Sequence, residues 1–155
     1  MILISHRGNL DGPDLFSENS PEKIDHVKSL NIPVEIDLRY HNNSLYLGHD
    51  EPQYQINIDY LLDNRDWLWI HCKDSEALNI ALKTKKLNCF WHDTDDYTMT
   101  TFGYTWAYPG KEPVGGLCIG VMPEQKWSLE KTLKKSFFGI CTDHVTQVQD
   151  IINTR

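Results

Sequence analysis

The sequence has no long apolar run, no CxxC pair, no low-complexity tract and no excess of positive charge. Each absence excludes a class of protein. A membrane span needs about 18 consecutive apolar residues, and no stretch approaches that. Lys and Arg number 15 against 22 Asp and Glu, giving a formal net charge of -7. Such a chain lacks the broad basic field that drives binding to phosphate backbones, so no nucleic-acid partner is expected. The opening MILISHRGNLDG has no basic segment and too short an apolar one for a secretory signal, so a cytoplasmic location is expected. Cys72, Cys89, Cys118 and Cys141 each lie in a short apolar run. Thiols so placed are expected to act as small buried hydrophobes rather than as disulfides or zinc ligands.

What is present is the composition of one globular unit. The chain has 155 residues, 40% of them hydrophobic, which predicts a single domain over 1–155. Apolar runs rich in Ile, Val, Trp, Tyr and Phe recur at ILIS (2–5), VEIDL (34–38), LYLG (45–48) and WLWIHC (67–72). They continue at NCFWH (88–92), YTWAY (104–108), LCIGV (117–121) and FGICT (138–142). Their composition predicts strands, and several are continuous, as strands covered on both faces are. Helices are predicted between some of them. Ser20-Pro21 is an N-cap followed by proline, and Ile24, Val27 and Leu30 give a helical stripe. Ala77, Leu78, Ala81 and Leu82 give a second stripe, and Val145, Val148, Ile151 and Ile152 a closing one. Weaker helical signals cover 57–64 and 129–136. Eight strand-like runs alternating with helices predict an α/β fold, a compact or partly reduced (β/α)8 TIM barrel. Such barrels usually take about 250 residues, so some helices must be absent, above all between 93 and 116.

Polar residues stand at the ends of the runs: His6-Arg7, Glu35 and Asp37, His49-Asp50, His71 with Lys73, His92-Asp93 and Asp143-His144. In parallel α/β folds ligands bind where strand C-terminal ends converge. Glu35 and Asp37, two apart on a strand, point to one face. Two carboxylates there repel each other, and a divalent cation with oxygen ligands relieves the repulsion. His6 and His49 suit the acid and base of a phosphodiester cleavage, because imidazole titrates near neutrality. Arg7 and Lys73 are cations able to hold phosphate oxygens.

In order, SHRGN (5–9), SENS (17–20), VEIDL (34–38) and LGHD (47–50) resemble the glycerophosphodiester phosphodiesterase family. IHCK (70–73) and GICTD (139–143) are similar to later strands of that family. The resemblance implies a barrel phosphodiesterase with one divalent cation, Mg²⁺ or Ca²⁺, acting on a small-molecule phosphodiester. It implies His6 and His49 as the acid/base pair, in either order, and Glu35 and Asp37 as metal ligands. Arg7 and Lys73 would bind phosphate, with Glu18, Asn19 and Asp50 in support. Relatives in the phosphatidylinositol-specific phospholipase C group imply attack by a substrate hydroxyl through a cyclic phosphate.

The chain departs from the family where a third carboxylate is usual, since His71 stands there. An imidazole ligand shifts preference toward Mn²⁺ or Zn²⁺; otherwise water, or Glu124 after VMP, takes that place. The insertion usual after the His-Asp pair is nearly absent, and the late Trp-Thr-Val-Asn strand is not recognisable. The acidic cluster of His92, Asp93, Asp95 and Asp96 reads as a solvated loop. Trp91, Trp106 and Tyr108 either shape a pocket or pack the core. Two other readings stand beside the hydrolase: a degenerate barrel that binds a phosphorylated ligand, and a sugar-phosphate lyase or isomerase using Lys73 as a Schiff base. A thinly covered barrel would also be able to bury apolar surface as a homodimer.

Overall fold

A computed structural model describes residues 1–154. The chain opens with β1 (Ile2–His6), α1 (Pro21–Ser29), β2 (Val34–His41), β3 (Ser44–Leu47) and β4 (Tyr54–Ile56). Next come α2 (Ile58–Asp63), β5 (Leu68–Cys72), α3 (Ser75–Lys83) and β6 (Cys89–Phe90). Then follow β7 (Tyr97–Met99), β8 (Thr105–Ala107), β9 (Cys118–Val121) and a 3-10 turn at Pro123–Gln125. The last elements are α4 (Leu129–Thr132), β10 (Gly139–Thr142) and α5 (Val145–Asn153).

The helices begin where the sequence caps them. The Ser20 and Asp74 side chains accept from the Lys23 and Ala77 amides, and Pro21 occupies the first turn of α1. No helix is long and apolar enough to cross a membrane among the described residues. All four cysteines are free and buried, as their apolar settings predict.

One curled sheet carries the chain. Its parallel path runs β6-β5-β2-β1-β10-β9-β8. The curl brings the far ends near each other: the Thr101 amide donates to the Cys89 carbonyl over 2.9 Å, and the Phe90 and Trp106 rings lie 4.7 Å apart. The outer face packs on helices through Val34, Ile36, Leu38, Ile70 and Ala77 in one cluster. A second outer cluster, with Cys118, Ile140, Leu129 and Val148, covers the other side. The inner face carries Ile4, Trp69, Phe90, Trp106, Ile119 and Cys141. Trp106 therefore packs the core.

This is not a (β/α)8 barrel, and that expectation is corrected. Eight parallel strands each followed by a helix are required, and the chain lacks both. The LYLG run is not a barrel strand: β3 pairs antiparallel with β2, and β4 with β3. The return is made by Asn42 and Asn43, at φ 47 and 60, the left-handed pair that a two-residue hairpin turn requires. At the other end β7 pairs antiparallel with β8, and no helix separates β6 from β9. The product is a mixed α/β half-barrel with five short helices.

Strand β10 lies between β1 and β9, and Gly139 sits where they close. A Cβ there would come within 2.8 Å of the Ile2 carbonyl oxygen and 2.9 Å of Ile119 Cδ1. Gly139→Ala is therefore expected to destabilise the protein by about 1–3 kcal/mol, read as a lower urea midpoint. Gly116→Ala, where a Cβ meets open space, should leave the midpoint within about 0.5 kcal/mol. Equal midpoints for the two variants would refute the close packing at β10.

Candidate metal and phosphate site

The pleat builds the site. On the inner face, the residue two positions beyond an apolar one is polar: Ile4 leads to His6, Trp69 to His71, Phe90 to His92, and Cys141 to Asp143. Register aligns these ends, with His6 opposite Glu35 and Asp37 opposite His71. Glu35 and Asp37 thus meet His6 on one side and His71 on the other.

Glu35 and Asp37 are 2% and 0% exposed. Asp37 Oδ2 accepts from Asn19 Nδ2 at 3.0 Å, while the Asp37 amide donates to Asn19 Oδ1 at 2.9 Å. Arg7 Nε lies 2.9 Å from the same Oδ2, an ion pair without hydrogen-bond geometry. Asp37 Oδ1 lies 3.3 Å from His71 Nδ1 and 3.6 Å from Lys73 Nζ. Glu35 is less provided for. Its Oε1 is 3.7 Å from His71 Nδ1, and its Oε2 is 3.9 Å from His6 Nε2. Glu35 Oε2 and Asp37 Oδ1 are buried with no hydrogen-bond partner. Ligand atoms of Glu35, Asp37 and His71 all lie within 4.8 Å of one another, a grouping able to hold a metal ion.

A hydrogen-bonded frame stands behind these groups. His6 Nδ1 bonds Asp143 Oδ1 at 2.8 Å, which leaves Nε2 toward Glu35. Asn9 Nδ2 donates to both Asp143 and Glu18 at 2.8 Å, and Asn9 Oδ1 accepts from Lys23 at 2.7 Å. Arg7 Nη1 donates to Glu18 at 3.1 Å. Arg7 and Asn19 both sit in the left-handed region, at φ 54 and 63. For arginine that conformation is costly, and it persists only where surrounding contacts over-determine it.

The sequence-expected residues therefore mostly converge. His6, Arg7, Glu18, Asn19, Glu35, Asp37, His71 and Lys73 form one network. His49 is placed differently. It follows β3 on a loop, half exposed, its Nδ1 2.8 Å from the exposed Asp50. It shares a small pocket with Arg7, Glu18 and Asn19. Glu124 does not join the three grouped ligands: it accepts from Thr142 Oγ1 at 2.7 Å, beside Asp143. Trp91 is exposed. His92 stacks on His71 and Tyr108, at centroid distances of 4.9 and 3.9 Å. It belongs to the site wall rather than to a solvated loop.

Two frame residues were given no role by the sequence. Asp143 carried a signal, since it lies two positions beyond the inner-facing Cys141 at a strand end. Asn9 carried none: it follows a left-handed Gly8, where no periodicity applies. No protein-family model, no curated protein and no solved structure matches the chain.

The charges tune one another. Burial works against protonating His6, but the Asp143 hydrogen bond and the Glu35 charge outweigh it and raise its pKa above 6.5. For His71 burial is likewise outweighed, by the nearby carboxylates of Asp37 and Glu35. Burial would raise Asp37, but His71, Arg7 and Lys73 hold it far below 3.8. Asp143 is lowered against its burial by the His6 hydrogen bond. His49 is lowered by burial, with Asp37 opposing. His92 falls to about 4, through burial and then the charges of His71 and Lys73.

These shifts fix a pH dependence. His6 and His71 hold their protons more tightly when folded, so their stabilisation is complete below the unfolded 6.5 and is lost as pH rises through the higher folded values. Asp37 and Asp143 act in the opposite sense, complete above 3.8 and lost as pH falls through lower folded values. His49 and His92, both lowered, act against this trend, so the test is a difference between variants. In the metal-free protein His71→Gln should lower the melting temperature more at about pH 5.5 than at about pH 8. An equal or larger loss at the alkaline pH would refute this charge arrangement.

Proposed function

We propose that the chain is a divalent-cation-dependent phosphodiesterase that hydrolyses a small-molecule phosphodiester to a phosphomonoester and an alcohol. This is the activity implied by its resemblance to the glycerophosphodiester phosphodiesterases. One observation carries the reading: two buried carboxylates each keep an oxygen without a hydrogen bond, and one imidazole nitrogen faces both. A buried charge left this way is costly, and a cation removes the cost.

The donor set fits such an ion. Glu35, Asp37 and His71 would hold it, and the imidazole favours Mn²⁺ or Zn²⁺ over Mg²⁺ or Ca²⁺. When bound, the ion would supply charge neutralisation for the phosphoryl oxygens and acidify an attacking hydroxyl. The chain's own groups do the rest. Arg7, clamped between Glu18 and Asp37, and Lys73 present positive charge to the phosphate. Asp143 fixes the His6 ring with Nε2 toward the site, the arrangement of a proton carrier and its orienting carboxylate. His6 is pushed up and His49 down, and a pair of titratable groups separated this way can divide acid and base roles.

Two experiments test the reading. With Mn²⁺ present, the protein should hydrolyse bis(p-nitrophenyl) phosphate, and a chelator should abolish turnover. His6→Ala and Glu35→Ala should each lower kcat by about 100-fold or more. Turnover that survives chelator and both substitutions would end the proposal. Independently of activity, Mn²⁺ should raise the melting temperature more near about pH 8 than near about pH 5.5, because protons on His71 compete with the ion. An equal shift in wild type and Glu35→Ala would place the ion elsewhere.

A further inference from the structure

Beside the carboxylate cluster a cleft of about 410 Å³ opens, with His6, Arg7 and Asp143 on one side and Tyr108, Val121 and Met122 on the other. Tyr108 follows β8 directly. Its backbone amide is anchored to the Asp96 carbonyl at 3.1 Å, and its ring packs on His92. Its hydroxyl is buried and has no hydrogen-bond partner among the described residues. Tyr40, Tyr54 and Tyr97, by contrast, each donate to an oxygen.

An unpaired buried hydroxyl costs free energy that phenylalanine, identical in shape otherwise, would avoid. Tyr60 shares this feature, and what sets Tyr108 apart is its place on the cleft that His6 and Arg7 also line. The group lies within the negative field of Glu35 and Asp37, which, with burial, keeps the phenol protonated. A neutral O–H on a residue lining the same cleft as His6 and Arg7 is a donor within the space the proposed diester would occupy.

We propose that Tyr108 is a substrate-contacting residue, donating its hydroxyl hydrogen to a phosphoryl oxygen of the diester, while the Val121–Met122 wall takes an apolar or aromatic alcohol group. This rests on the phosphodiesterase reading, and the test separates the two. Tyr60 supplies the control, since its hydroxyl is likewise buried without a partner but its ring packs with the helix-side core, away from the site.

The experiment compares wild type, Tyr108→Phe and Tyr60→Phe, all loaded with Mn²⁺. It measures melting temperature, kcat/KM for bis(p-nitrophenyl) phosphate, and calorimetric binding of phenyl phosphate. Tyr108→Phe should melt no lower than wild type, yet lose about tenfold in kcat/KM and in phenyl phosphate affinity, the worth of one hydrogen bond to a charged oxygen. Tyr60→Phe should match wild type in both. Should wild type bind phenyl phosphate but not turn over the diester, weakened binding in Tyr108→Phe would uphold the contact and sink the hydrolase. Should kcat/KM and affinity of Tyr108→Phe stay within about twofold of wild type, the contact is overturned and the hydrolase stands. A wild type that neither binds nor reacts overturns both.

Discussion

Two carboxylates on the inner face of β2, buried beyond the reach of water, are the constraint around which the molecule is arranged. Burying one carboxylate unpaired costs several kcal/mol, and two at adjacent inward positions repel as well. Around them the two flanking parallel strands and one loop supply compensating groups. Strand β1 gives His6 and the residue beyond it, Arg7; strand β5 gives His71, and Lys73 just past it; the loop before α1 gives Asn19. These come from strands that lie next to β2 only because the chain crosses over through α1 and the hairpin-plus-α2 segment. The parallel pairing and the chemistry are thus one arrangement.

The compensation is specific to each carboxylate. Asp37 receives Asn19 on two counts, through its side chain and its amide, and Arg7, His71 and Lys73 lie within 3.6 Å. Glu35 receives only two distant imidazoles. A site built solely for stability would have given Glu35 a donor at hydrogen-bond distance. Arg7 in a left-handed conformation adds a second departure from what folding alone favours. Both departures fall at the same place, where local rules are expected to yield to function.

Much of this was legible in the sequence because it rests on the period of a strand. VEIDL puts Glu35 and Asp37 on one face whatever the fold, and the apolar runs marked most of the strands. The cap at Ser20 is local and needed no tertiary information. What failed was the inference from eight runs to eight barrel strands. LYLG is as apolar as its neighbours, and only the Asn42-Asn43 turn tells that it folds back antiparallel. His92 misled for a different reason. It opens an acidic stretch that reads as solvent-facing, yet its own parity continues the inner face of β6 beyond Phe90. Asn9 lies where the chain has no period at all, so its position between Glu18 and Asp143 is set by tertiary contacts alone.

The charge count gives His71 its meaning. Glu18, Glu35, Asp37 and Asp143 are all buried, and when they are ionised two permanent cations, Arg7 and Lys73, pair directly with members of this set, while Lys23 pairs with Asp14. Two negative charges remain. One divalent ion neutralises them, and so do two protons, one on His6 and one on His71. A carboxylate at position 71 would leave three charges and no internal remedy, tying the fold to the ion. An imidazole there serves in either state: protonated, it satisfies Asp37 and Glu35 in the ion's absence; neutral, it offers its nitrogen as a ligand. On the proposed reading, an imidazole at this position would couple ion affinity to pH and would leave the cation-free chain its own means of balancing these charges.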